Sequence, residues 1–567
     1  MDDKKFFEAA EACGLFELVS ADVDAEEILT AGNSFFDKNY FGTRVLVLAP
    51  HPDDEINVAG NMILTLAAAK AEIFVAYSTN GDFEVSADVR AQESVEALKI
   101  LGVPRENIIF LGYGDAHKLS DTQTQSPAGH FETYAPKNFV DYAKKTFGRH
   151  NSYTRKNFKR DLKNLLLELR ANIIFCVDFD NHPDHRALSV AFEEVFGEIL
   201  SERSDYHPEI YKKFAYATAF TAAADFYAQN LLSTRKPKLG ETDTYDFDFI
   251  DRANYIWKSR VRFPVSENCR KTILKGNPVA DAIFAHKSQR NEWNALRIIN
   301  SDEIFFERRT DSQTFSAKVM ATSGDANKVR DFKIIDTNDV EITPAQIKNN
   351  IWSGEKIFFE WKEAIQVERI VIYGNPLDDS PAKIFLRLEI DKTGISLDNV
   401  KNFSVELPNH GKPLIIDTEK IFLTRTELSV VESGKNFGLS EVEFFANAEP
   451  LKKIPPFIKL TINDDFFYNF AVPYEVEKIL IGLYRFHVDS PVKITATAGE
   501  KEIFSDIIDD EFILNLGDAT EIILTAEVVG FDIYDRAIVR RVGDLAQIQL
   551  KIFQWLDKLR IHKLRNI

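Results

Sequence analysis

The sequence predicts an α/β protein: a Rossmann-like parallel sheet with helices on both faces, followed by two β-sandwich-type domains and a C-terminal amphipathic helix. Three observations carry this expectation. Between residues 44 and 202, short apolar runs alternate with amphipathic stretches of helical period, the pattern of parallel strands joined by covering helices. From about residue 312 the runs become short, rich in β-branched and aromatic residues, and are broken by Gly, Pro, Asn and Asp. Residues 543–567 place Leu545, Ile548, Ile552, Trp555 and Leu559 three or four apart, which makes one narrow apolar stripe on a helix.

Residues 1–40 read as an N-terminal helical extension, with Phe6, Phe7, Ala10, Leu15 and Leu18 as candidates for burial. A domain over 41–311 follows. Its predicted elements are strand 44–49, helix 55–70, strand 72–78, helix 85–101, strand 107–111, helix 157–170, strand 173–177 and helix 186–202. The period is clear in helix 157–170, where Phe158, Leu162, Leu165, Leu166 and Leu169 share a face. Before it lies a long polar segment, roughly 113–156, with Gly114, Asp115, His117, Ser126, Pro127 and Gly129. A loop of that length inside a compact domain is usually functional or mobile, and here it is expected to cover a site. The first β-sandwich is placed at 312–447, with Lys356–Trp361 and Arg369–Tyr373 as typical strands. Pro450 and Pro455-Pro456 mark a linker, and a second β-rich domain runs over 457–541.

With 567 residues and 45% hydrophobic content, the chain can bury several cores. A net charge of −19 argues against a general nucleic-acid binder, which needs clustered Lys and Arg. Cys13, Cys176 and Cys269 are few, odd in number and far apart, so they suggest free buried thiols in a reducing compartment. No secretory signal opens the sequence, and no uncharged apolar run reaches the ~18 residues a spanning helix needs. The expected location is cytoplasmic, with peripheral contact at the inner face of the membrane. Lys551, Lys558, Arg560, Lys563 and Arg565 make 543–567 basic. That segment suits an interfacial helix on an anionic membrane; it equally suits a helix that packs on its own domain or self-associates.

Chemistry concentrates at two strand ends. The apolar run Leu46–Ala49 opens into Pro50-His51-Pro52-Asp53-Asp54-Glu55, and Ile173–Val177 leads to His182-Pro183-Asp184-His185. In open α/β sheets ligands bind where strands end and helices begin. Catalytic zinc typically keeps three His or carboxylate ligands and an open position, an inventory that His51, Asp54 and His185 fit. Asp53 can then act as general base on water. His182 can protonate a leaving nitrogen or stabilise an oxyanion. Together these roles describe hydrolysis of an acyl bond. Gly-x-Gly-x-x-Gly does not follow the first strand, which disfavours a nicotinamide cofactor.

The same residues carry a resemblance. Ala49-Pro50-His51-Pro52-Asp53-Asp54-Glu55 and His182-Pro183-Asp184-His185, with Thr79-Asn80-Gly81-Asp82, Arg90, Glu93, Gly112-Tyr113-Gly114-Asp115 and Ala285-His286-Lys287-Ser288-Gln289 between and after them, look like the zinc-dependent N-acetylglucosaminyl deacetylases of the LmbE/PIG-L family. The resemblance covers roughly residues 40–310. It implies a Zn2+ cofactor on His51, Asp54 and His185, a base at Asp53, an acid or oxyanion role for His182, and Asp184 tuning the histidine. Arg90 and Asp115 match positions the family uses to hold substrate; a surface salt bridge is the alternative for Arg90, and a structural role is expected for His286 and Gln289. The implied substrate is an N-acetylated amino sugar of N-acetylglucosamine type, lipid-linked or polymeric, met in making a surface polysaccharide or glycolipid. The alternatives are another small amide at the same site, or an inactive glycan-binding scaffold. Residues 312–447 resemble a discoidin-type (factor 5/8 C-terminal) module, with Trp352 and Trp361 able to stack on sugars or to fill the core.

Overall fold

The computed structural model describes residues 40–115, 119–179, 182–203, 205–213, 215, 261–263, 277–289, 303–334, 351–375, 382–390, 400–408 and 413–448. It also describes strand segments at 16–19, 458–461, 483–488, 492–508, 511–515, 521–528 and 534–541. Seven strands form the first sheet: β1 (Arg44–Ala49), β2 (Glu72–Thr79), β3 (Ile108–Tyr113), β4 (Ile173–Val177), β5 (Glu209–Lys213), β6 (Val261–Phe263) and β7 (Glu303–Arg308). Their spatial order is β3-β2-β1-β4-β5-β7-β6. The pairs from β3 through β5 are parallel, whereas β7 runs antiparallel to both β5 and β6. The sheet is therefore mixed, and its antiparallel edge departs from the all-parallel expectation.

The helices are α1 (Asp54–Ala68), α2 (Ala87–Ile100), α3 (Tyr142–Phe147), α4 (Arg155–Leu169), α5 (Pro183–Glu202) and α6 (Pro278–Ala285). Right-handed crossovers place the helix between β1 and β2 on one face and those leading into β4 and β5 on the other. In keeping with this, α6 packs against α1 and α2, while α4 packs against α5. Because both faces are covered, β1 needs no polar alternation: Val45–Ala49 are all buried. Phe158, Leu162, Leu165 and Leu166 are buried on α4, each contributing roughly 1.5–3 kcal/mol relative to exposure. Helix α1, expected as one piece, is broken at Ala59 (φ −149°). The amides of Asn61 and Met62 donate to the Glu303 carboxylate on β7, each at 3.1 Å.

Strand order reverses between β1 and β4. Their C-terminal ends carry the two histidine motifs, so this crevice is the place where an open α/β sheet receives a ligand. Of the segment 113–156, the stretch 119–156 folds back on the neighbouring strand ends, where Tyr134 N donates to Gly112 O. It contains α3, which the sequence did not predict, capped by Asp141 accepting from Lys144 N and closed by Gly148 at φ +73°. Asn80 Nδ2 donates to Tyr134 O, which ties the segment to the β2–α2 loop. His117 lies outside the described residues.

Six antiparallel strands follow: β8 (Lys318–Ala321), β9 (Lys356–Gly374), β10 (Ala382–Ile390), β11 (Val400–Leu407), β12 (Leu414–Glu432) and β13 (Leu439–Phe445). Where two stacked sheets are expected, the strands form one hydrogen-bonded sheet, β11-β10-β12-β9-β13, with β8 on β9. Register breaks between Glu360 and Ile365 and between Val367 and Arg369 let the long strands bend around a shared core. Trp352 and Trp361 belong to that core at 1% and 7% exposure, donating to Ser323 O and Gln313 O. They are packing residues and not sugar-stacking platforms.

The far strands pair antiparallel in two sheets. Phe16–Val19 is an edge strand on Tyr534–Arg541, a correction to the helical extension at those four positions. The alternation Phe16-Glu17-Leu18-Val19 suits a strand as well as a helix over so short a span. The basic segment 543–567 lies outside the described residues. No helix among the described residues is long and apolar enough to cross a membrane.

Candidate active site

Pro50 ends β1, and its carbonyl accepts from Thr79 N at 2.9 Å and Thr79 Oγ1 at 3.0 Å. The motif loop is thereby fixed to the end of β2. Asp53 then adopts φ +138°, ψ −26°, a conformation that L side chains avoid, and α1 begins at Asp54. On the other motif, His182 is the N-cap of α5 and Pro183 sits in its first turn. The helix starts three residues earlier than expected, so Asp184 and His185 lie on its first turn and face the crevice.

Asp54 is the centre of the cluster. Its Oδ2 lies 2.9 Å from His51 Nδ1 and 3.1 Å from His185 Nε2. His51 Nε2 lies 2.9 Å from Asp115 Oδ1 and 3.0 Å from Asp184 Oδ2. Asp184 is farther from His182, at 3.8 Å, so the histidine it contacts most closely is His51. Donor atoms of His51, His182 and His185 fall within 4.8 Å of one another, as do those of His51, Asp115 and Asp184. The structure thus gathers His51, Asp53, Asp54, Asp115, His182, Asp184 and His185, from three separate stretches of backbone, into one pocket of charge.

Burial would raise the Asp54 carboxyl, but His185 and His51 outweigh it and hold it well below the ordinary range. His51 is the converse: burial would lower it, and Asp115, Asp184 and Asp54 hold it well above. Burial raises Asp53, opposed by Arg90 and reinforced by the charge of Asp54. His182 is pushed down to about 4 by burial, with His51 and His185 adding to the effect. Its Nδ1 accepts from Asp184 N at 3.3 Å, so the neutral ring carries its proton on Nε2.

The donors present fit a divalent metal. Two imidazoles and a carboxylate converge, and Asp54 Oδ1 is buried with no hydrogen-bond partner among the described residues. A carboxylate oxygen left in that state is costly unless a cation serves it.

Two further residues support the cluster and are not nominated by ligand chemistry. Glu55 accepts from Asp53 N at 2.8 Å through Oε2 and lies 2.8 Å from His286 Nε2 through Oε1. Glu93 accepts from Ser288 N and Ser288 Oγ. The segment after α6 therefore clamps both α1 and α2. Glu55 leaves one trace in the sequence: a third consecutive acid exceeds what a helix N-terminus requires. Arg90 and Asp115 are both almost fully buried, at 6% and 7% exposure, and their ion-pair distance is 3.8 Å.

Residues 46–196 match the profile of the family described as PIG-L, GlcNAc-PI de-N-acetylase. That span runs from β1 into α5 and includes every candidate ligand. N-acetylglucosaminyl-phosphatidylinositol de-N-acetylase of Bos taurus is 29% identical over 70 residues, 12% of this chain and 28% of that protein. The match thus spans little more than a quarter of the bovine protein. Among solved structures, N,N'-diacetylchitobiose deacetylase from Pyrococcus horikoshii is 17% identical, covering 55% of this chain and 94% of its own, with a TM-score of 0.26. Teicoplanin deacetylase Orf2 is 15% identical, covering 47% and 97%, with a TM-score of 0.28. A CBM32 module from Clostridium perfringens is 16% identical, covering 23% and 96%, with a TM-score of 0.18.

Proposed function

We propose that this chain is a metal-dependent amide hydrolase that removes acetyl from an N-acetylated amino sugar. The observation that carries the reading is Asp54 Oδ2 lying between His51 Nδ1 and His185 Nε2 at the sheet's switch point, beside Asp53 and His182. The PIG-L profile match over the same residues supports the sugar as substrate class.

His51, Asp54 and His185 would hold the metal, with zinc the choice for such a donor set. When bound, it supplies a lowered pKa for water and positive charge for a developing oxyanion. Asp53, with its carboxyl raised, takes the proton of the attacking water and returns it to the departing nitrogen. His182 donates its Nε2–H to the oxyanion, the role its tautomer favours over that of a charged acid. Asp115 and Asp184 orient His51 through Nε2. A substrate that is lipid-linked or polymeric, a cytoplasmic site of action near a membrane, and self-association through 543–567 belong to the same proposal.

The test is acetate release from free, nucleotide-linked and lipid-linked N-acetylated sugars, using metal-free protein with and without zinc. Zinc-dependent release supports the reading. No release from any sugar, with metal bound, moves the assignment to another amide or to a binding protein.

A further inference from the structure

We propose that Arg90 is the positioning residue of the general base Asp53 and not a substrate contact; this rests on the deacetylase reading above. Arg90 lies on the first turn of α2, and its guanidinium is turned inward onto the motif loop. Nη2 donates to Asp53 Oδ1 and to Pro52 O, both at 2.8 Å, and Nη1 donates to Gly81 O at 3.1 Å. Nε is buried without an acceptor among the described residues. Three of the guanidinium's five N–H donors are thus held by protein oxygens of the motif loop and the β2–α2 loop.

The β2–α2 loop is shaped around this group. Gly81 has φ +64°, and a Cβ there would fall 2.6 Å from Arg90 Nη1 and 2.8 Å from Cζ. Only glycine allows the backbone to lie against the guanidinium at that angle.

What Arg90 holds is a strained residue. The Asp53 backbone conformation, φ +138°, is unfavourable for an L side chain and persists only where its surroundings impose it. By binding Pro52 O and Asp53 Oδ1 through one nitrogen, Arg90 fixes the peptide before Asp53 and its carboxylate in a single relation. Oδ1 is committed to Arg90. A lysine has one point charge and cannot reproduce the fork.

The experiment separates kcat from KM in Arg90→Ala, Arg90→Lys and Gly81→Ala, with bound zinc measured in each. Displacing a reacting group by about 1 Å can cost ~10²-fold in rate. Arg90→Ala is expected to lose about that much kcat, with KM within about twofold and zinc retained. Added guanidinium ion is expected to restore part of the rate, and Arg90→Lys to fall in between. Gly81→Ala pushes the guanidinium aside without removing it, so it should show the same pattern, and it decides the matter if Arg90→Ala does not fold. A KM raised about tenfold with kcat kept would make Arg90 a substrate contact and overturn the proposal. Unchanged kcat in both Arg90→Ala and Gly81→Ala would overturn it too. Wild-type protein inactive on every sugar refutes the deacetylase reading first and removes the base that Arg90 would position.

Discussion

His286 Nε2 lies 2.8 Å from Glu55 Oε1 with both side chains fully buried, although 231 positions separate them in the chain. The pair closes the far end of the α/β domain onto the motif loop, because Glu55 also receives the Asp53 amide. Burial would lower the His286 pKa, but Glu55 outweighs it and raises it above the ordinary histidine value. Removing one partner of a buried ion pair typically costs about 3–5 kcal/mol, since the other charge is left without compensation. His286→Ala is expected to lose that much stability in urea unfolding. The double change with Glu55→Gln should cost less than the sum of the two single ones. Additive losses would mean the pair is not coupled.

Metal binding should divide the histidines. His185→Ala and Asp54→Ala are each expected to abolish stoichiometric zinc, measured as metal per chain after dialysis. His182→Ala should keep it, because His182 is assigned to the oxyanion. The cluster of His51, His182 and His185 makes the opposite outcome concrete: zinc lost in His182→Ala and kept in Asp54→Ala would assign three nitrogens as the ligands.

The α/β domain and the β8–β13 sheet are joined by buried polar contacts. Arg308 of β7 donates to Glu443 of β13 at 3.0 Å and to Phe332 O at 2.9 Å. Glu193 of α5 accepts from Ile334 N at 3.2 Å. At Gly197 a Cβ would fall 2.1 Å from Asp331 O, so α5 and the backbone at Asp331 touch directly. Gly197→Ala is expected to destabilise by about 1–3 kcal/mol through overpacking, and Arg308→Ala by about 3–5 kcal/mol through the stranded Glu443. Calorimetry on the full chain should show the two domains still melting together in wild type and separating in Arg308→Ala.

The same junction gives a pH dependence. Burial pushes Asp331 up to about 6, against the pull of Lys333. Burial, together with Asp331 and Glu443, raises Glu441 well above the ordinary range. An aspartate with an unfolded pKa of about 3.9 binds its proton more tightly when folded. Its contribution to stability is therefore fully present below about pH 4 and is lost as pH rises through about 6. The expected loss is at most about 2–3 kcal/mol. Asp331→Asn should remove it, so the stability difference between wild type and variant should shift across pH 4–7. A difference independent of pH would contradict the assignment.

The α/β half of the fold is legible in sequence because local and global signals agree there. Apart from Arg44, β1 and β4 are apolar and lead into prolines or charges, and both motifs stand at their C-terminal ends. The antiparallel edge of β6 and β7 is not legible, since which way a strand enters a sheet depends on connections far along the chain. The break at Ala59 is equally hidden: Glu303, which accepts from the Asn61 and Met62 amides just after it, stands 241–242 residues beyond them in the chain. Tryptophans in short β-runs are ambiguous by composition, and only burial decided Trp352 and Trp361. At the site, residue types nominated His51, Asp54 and His185. The long-range partners of Asp53, namely Arg90 and the Glu55–His286 pair, needed the fold.

In the proposed reaction a metal held by His51, Asp54 and His185 serves a hydrolysis in which Asp53 moves the proton. The direct measurement is zinc content and acetate release, made side by side on wild type and Asp53→Asn with an N-acetylated sugar. About one zinc per chain is expected in both proteins, with turnover in wild type and a loss of roughly 10²–10⁴-fold in the variant. Turnover retained in Asp53→Asn with zinc bound would contradict it.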